Sequence, residues 1–303
     1  MKSAQSVKLC GLMLLAALSI MLLSANDSSA QTRLALLIGN SAYKNGPLKN
    51  PVNDVAAMNT SLKRSGFDVM LVKNADRGKM GKAIDEFGRK LKNYDVGLFY
   101  FSGHGLQVDG RNYLVPLYMK VQGQSDVQYE AIDAGKVLAK MEDAGNRMNI
   151  VILDACRNNP FKRSFRSGRN GLAQMDAPTG SFIAFATAPG DVALDGRGKN
   201  SPYVSNMLSN MNKKNITIEQ FFKRVRRGVM KDTGKKQVPW ESSSLVGDFY
   251  FAGKGGAASS SASTQQTSTQ QQSTPAATPA PAPKPRPKPK QSKSDSAMDS
   301  LLN

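Results

Sequence analysis

The chain is short of the residues on which metal and disulfide architectures depend. Its 303 residues hold one histidine, His104, one tryptophan, Trp240, and two cysteines, Cys10 and Cys156. So few ligands cannot assemble a Cys/His zinc site, which takes four. Long apolar runs are scarce as well. The main one, over residues 9–23, is shorter than the ~20 residues a bilayer-spanning helix needs. It follows a basic start at Lys2 and Lys8 and precedes Ser28, Ser29 and Ala30, the layout of a secretory signal cleaved after a small residue. Residues 1–30 are therefore expected to be a signal peptide, and the protein to be exported, periplasmic or secreted. Cys10 lies too early in the apolar run for lipid attachment and would leave with the signal. Cys156 is then the sole cysteine of the mature chain, which excludes an intramolecular disulfide. A lone thiol in an oxidising compartment is either packed and inert or kept for its reactivity. Cysteine content alone leaves both readings open.

Acidic residues are outnumbered, 23 against 41 basic, for a formal net charge of +18. Without residues 1–30 and 254–303, 33 basic and 20 acidic residues remain, about +13. Such an excess fits an anionic envelope surface or wall polymer, and equally a soluble basic surface. Lys223, Arg224, Arg226 and Arg227 lie in one predicted helix. No recognition motif or aromatic-interleaved surface accompanies them, so specific nucleic-acid binding is not expected. Residues 254–303 turn to Gly, Ser, Thr and Gln, then Ala–Pro and Pro–Lys alternation. That composition predicts an extended, disordered tether, whose basic part can touch anionic envelope or simply stay solvated.

Between these ends, residues 31–253 read as one domain. Short apolar runs over 33–40, 67–72, 96–102, 150–154, 181–187 and 246–251 predict strands, with a small extended piece over 112–116. Helical spacing is found from Asn53, taken as an N-cap, to Gly66, and over 77–91, 131–141, 203–211 and 218–230. The alternation predicts a three-layer αβα fold, a mostly parallel sheet of about six strands with helices on both faces. No internal repeat is present. Residues 158–180 form a long basic loop without periodicity. In parallel sheets, sites gather at the carboxyl ends of strands, where His104, Cys156 and the turn at Ala188 fall. Ser102, Gly103, His104, Gly105 and Leu106 lack the glycine pattern of a phosphate loop.

A thiol and an imidazole at neighbouring strand ends are the parts of cysteine proteolysis, with backbone N–H groups available for a developing oxyanion. The motifs Ser102-Gly103-His104-Gly105 and Asp154-Ala155-Cys156-Arg157 resemble the two signatures of the caspase–metacaspase superfamily and its p20-type domain. A histidine 52 residues ahead of the cysteine is the spacing caspases show, and Asp154 in place of glutamine favours the metacaspase side. The run from Asp154 through Asn158, Asn159 and Pro160 to Phe161 is similar to bacterial caspase-like proteins. So are Leu48-Lys49-Asn50-Pro51-Val52-Asn53-Asp54 and the segment from Gln237 to Ser244.

The resemblance implies a cysteine endopeptidase acting on protein or peptide substrates after Arg or Lys. Cys156 is its nucleophile and His104 its general acid/base. The N–H groups of Gly105 and Cys156 form the oxyanion hole, and Asp54, Ser102 and Asp154 form the pocket for the basic side chain. Carboxylates suit that task because a buried guanidinium needs partners of fixed geometry. For Asp54 the alternative is a helix-start acid favoured by the macrodipole. Two departures concern regulation. Tyr118 stands where the calcium-dependent members carry an acid, and Lys162, Arg163 and Arg166 follow the cysteine. No cofactor is expected, and calcium activation through that site is not. The same three basic residues either form a self-cleavage site or an uncleaved loop. A monomer is expected. The rival function is a catalytically silent caspase-fold module serving as an envelope scaffold.

Overall fold

A run as apolar as Leu34 to Ile38 is stable only with both faces covered, and strand β1 (Arg33–Gly39) is buried throughout. The structure, a computed structural model, describes residues 31–156 and 171–253. The proposed signal peptide, the tail, and Arg157, Lys162, Arg163 and Arg166 lie outside the described residues. β1 runs parallel between β2 (Phe67–Lys73) and β3 (Val96–Val108). Next to β3 comes β6 (Met148–Cys156), then β7 (Ser181–Phe185), both parallel, and then β8 (Trp240–Ser243), antiparallel at the edge. The order is β2-β1-β3-β6-β7-β8. Two short strands, β4 (Arg111–Leu114) and β5 (Ile132–Asp133), extend this to eight. The expected six-strand αβα sheet is therefore the main path, with a small antiparallel annex.

Period-two alternation sorts every central strand between two cores. Leu34, Leu36, Ile38, Phe99, Phe101, Val151 and Leu153 pack on one side with helices α2 (Arg77–Leu91) and α4 (Ala134–Asp143). Ala35, Leu37, Leu98, Tyr100, Ile150 and Ile152 pack on the other, with α1 (Pro51–Arg64), α5 (Pro202–Met211) and α6 (Ile218–Asp232). Helical spacing matches: Met80, Ile84, Phe87 and Leu91 form the single buried stripe of α2. A one-turn helix, α3 (Val127–Glu130), precedes β5.

Four boundaries differ from expectation. β3 continues past Ser102 to Val108 because β4 folds back on its second half, pairing Gly105 with Leu114. α1 starts at Pro51 rather than after Asn53, since proline's fixed φ is pre-organised for a first helical turn. α4 starts at Ala134, where Asp133 accepts from the Gly135 N–H, while Ile132 and Asp133 pair with β4. The last strand is Trp240–Ser243, not residues 246–251. There Phe249 and Phe251 are buried against Phe67 and Phe221. Burying two phenylalanines at about 1.5–3 kcal/mol each outweighs a few edge-ladder hydrogen bonds at about 0.5–1.5 kcal/mol each. An alternating pattern here reports plugging of the core, not sheet pairing.

Candidate active site

The alternation that sorts the cores also aims the polar residues at the strand ends. Ser102 follows Leu98 and Tyr100 on the α1/α5 side of the sheet, and Asp154 follows Ile150 and Ile152 on the same side. Ser102 and Asp154 are register partners across β3 and β6, and two residues further so are His104 and Cys156. Residues 52 positions apart in sequence are thus neighbours in adjacent parallel strands, at the carboxyl end of the sheet. Gly105 lies one residue beyond, where β4 joins β3.

His104 is buried and held from two directions. Its Nε2 lies 2.6 Å from the carbonyl oxygen of Gly46. A carbonyl only accepts, so Nε2 carries the proton and, in the neutral ring, Nδ1 carries the lone pair. Gly46 sits at φ +71°, a backbone conformation glycine adopts without strain. On the other side the backbone N–H of His104 donates to the Tyr43 hydroxyl (3.0 Å), which donates to the Val115 carbonyl (2.9 Å). The Tyr43 ring packs against the imidazole, centroids 4.4 Å apart. Gly103 makes this approach feasible, because a Cβ there would lie 2.6 Å from the Tyr43 hydroxyl oxygen. Tyr43→Phe leaves a buried N–H without its acceptor, at about 1–3 kcal/mol. Thermal unfolding of this variant is expected at lower temperature.

The acids form a second constellation. Asp54, from the first turn of α1, is wholly inaccessible, and Asp154 is 2% exposed. Oδ1 of Asp54 accepts from Asn200 Nδ2 (2.9 Å) and from the Ser201 N–H (3.0 Å). Oδ2 of Asp154 accepts from the Ser201 hydroxyl (2.8 Å) and the Tyr100 hydroxyl (3.3 Å). Oδ2 of Asp54 is buried with no hydrogen-bond partner among the described residues. Burial pushes the Asp54 carboxyl up to about 6 and the Asp154 carboxyl up to about 8. The charge of Asp54 adds to the rise at Asp154, and that of Asp195 to both. The two titrate as a unit. A pair of carboxyls buried beside an unused acceptor, with no ion pair to either acid among the described residues, is electrostatically incomplete.

This fold and this order of parts point outside the chain. The caspase domain family matches residues 32–250. The chain belongs to that family. The chain is also similar to the mucosa-associated lymphoid tissue lymphoma translocation protein 1 of Homo sapiens and to its homolog in Mus musculus. Each is 31% identical over 129 residues, 42% of this chain. The match spans 15% of the length of those relatives. Membership places residues 32–250 in a caspase-like peptidase family.

Five residues of the caspase domain escaped the sequence reading as parts of the site: Tyr43, Gly46, Asp195, Asn200 and Ser201. Gly46 meets a histidine 58 positions away, and Ser201 meets an aspartate 147 positions away. Neither lies in a motif with a local period. The one available signal for Ser201 was its place before Pro202, an N-cap and N1 pair that opens a helix.

Proposed function

We propose that the protein is an exported cysteine endopeptidase that cleaves after Arg or Lys. The observation that carries this reading is the register where the pairing of β3 with β6 ends: the His104–Cys156 pair lies two residues beyond the Ser102–Asp154 pair. One substrate can therefore present its scissile bond to the first pair while its side chain reaches the second. Export rests on the signal-like residues 1–30.

In the proposed reaction the Cys156 thiol gives its proton to Nδ1 of His104, and the sulfur bonds to the scissile carbonyl carbon. The carbonyl oxygen becomes an oxyanion that accepts from the N–H groups of Gly105 and Cys156. Collapse breaks the C–N bond, and His104 returns the proton to the departing amine. His104 then takes a proton from water, whose oxygen attacks the thioester, releasing the carboxylate and restoring the thiol. The Gly46 carbonyl stabilises the imidazolium formed in both halves. Asp54 and Asp154, with Ser102 beside them, receive the substrate's cation, and no cofactor takes part. Lys162, Arg163 and Arg166 are basic residues that the same specificity would select in a second copy or in the chain itself.

The test is a panel of reporter peptides ending in Arg, Lys or Asp before the cleaved bond, offered to the full chain with and without calcium and after limited processing. Cleavage confined to Arg and Lys is the expected result. Intact peptides under every condition would overturn the reading and leave the catalytically silent scaffold.

A further inference from the structure

Ser201 bridges the two acids with its N–H and its hydroxyl. Its N–H donates to Oδ1 of Asp54 (3.0 Å) and its hydroxyl to Oδ2 of Asp154 (2.8 Å). The hydroxyl in turn accepts from the Val204 N–H (3.1 Å), as the N-cap of α5. With that lone pair engaged, the single hydroxyl proton is aimed at Asp154. The residue is 3% exposed, so no solvent competes. Its position is fixed from both sides. Pro202 follows at the head of α5. The preceding segment is hooked onto the start of α1, where the Asp195 carboxylate accepts from the N–H groups of Lys49 (2.6 Å) and Asn50 (3.0 Å).

Two carboxylates in one buried site repel unless donors hold them. Around this pair, Tyr100 and Ser102 come from β3, Tyr203 from α5, and Asn200 and Asp195 from the segment before α5. Among the described residues, Ser201 hydrogen-bonds both acids.

We propose that Ser201 is a specificity-determining positioning residue: it sets Asp54 and Asp154 at the separation at which both meet one cationic side chain. This rests on the acids being the pocket for Arg and Lys. Oδ2 of Asp54, buried and unpartnered among the described residues, is the acceptor that this arrangement keeps for the substrate. A serine used only as a helix cap would need neither acid.

The experiment compares Ser201→Gly and Ser201→Thr with wild type in the full chain. Reporters carry Arg or its neutral isostere citrulline before the cleaved bond. Glycine is nearly as good as serine at an N-cap, so Ser201→Gly removes the hydroxyl with the helix start intact, and thermal melting checks this. The expected result is a KM for the Arg reporter raised about tenfold, with kcat within about threefold. The preference for Arg over citrulline falls by a similar factor, and Ser201→Thr returns both to near wild type. An unchanged KM and an unchanged preference in Ser201→Gly overturn the proposal. So does an equal loss on both reporters, which is the mark of a structural role. Wild type cleaving neither reporter is a different outcome: it removes the peptidase reading itself, and this inference with it.

Discussion

Cys156→Ala is expected to reduce hydrolysis of Arg and Lys reporters to background, and His104→Ala to reduce kcat by roughly 10²–10⁴-fold. The two should not add: a double variant is expected to be no worse than Cys156→Ala alone, because residues acting as one unit fail together. The physical reason lies in the register. His104 and Cys156 are opposite one another as the last pair of the β3–β6 ladder, and Nε2 of His104 is tied to Gly46. Nδ1 is then the nitrogen left to move a proton. Neither variant touches the acid pair, so binding of a non-cleaved Arg peptide should persist in both, as titration calorimetry would show. Turnover surviving in Cys156→Ala would place the chemistry elsewhere.

Asp154→Asn is expected to lower kcat/KM for Arg reporters by roughly 10²–10⁴-fold, the effect of removing one partner from a buried ion pair at about 3–5 kcal/mol. It should also change two pH dependences, of opposite sign. Substrate capture needs the carboxyls ionised, and burial holds Asp54 at about 6 and Asp154 at about 8. Protons compete with the incoming cation below those values. Wild-type kcat/KM for Arg is therefore expected to rise from pH 5 to pH 8, and the upper part of that rise to vanish in Asp154→Asn. Stability runs the other way. Between about pH 4, near the unfolded value, and pH 8 the folded chain binds more protons than the unfolded one. Stability of the empty protein then falls as pH rises. The expected melting temperature drops from pH 5 to pH 9 in wild type and drops less in Asp154→Asn. Asparagine keeps an acceptor for the Ser201 hydroxyl without the buried charge. A melting temperature that climbs across this interval would show that the acids are not raised by burial.

The same two carboxyls explain a feature that stability alone does not favour. Burying like charges costs folding energy, and Asp54 carries a buried oxygen with no partner among the described residues. The proposed pocket would account for both, since a bound cation supplies the missing charge and the missing donor together. Asp54 does lie in the first turn of α1, where the macrodipole favours an acid, and it is also inaccessible and bonded to Asn200 and Ser201.

Much of this molecule was legible in the order of its residues. Continuous apolar runs specify strands buried on both faces, because no other local structure satisfies them. The spacing of Met80, Ile84, Phe87 and Leu91 specifies a helix for the same reason. His104 and Cys156 could be singled out because each is rare and each ends such a run. Position along the chain determined that much by itself. It did not determine how far β3 runs, since its second half is stabilised by β4 rather than by its own pattern. Nor did it reveal that residues 246–251 fill a core instead of a ladder, because both uses produce the same alternation. The hydrogen-bond partners around the site were beyond sequence reading for one reason. Gly46, Asn200 and Ser201 act through contacts made across 58 to 147 positions, and only the packing of α1 and α5 on one face of the sheet brings them to the residues they hold. The sequence determined which side chains could carry the chemistry; the tertiary structure decided which backbone and hydroxyl groups orient them, since long-range hydrogen bonds exist only once the cores have closed.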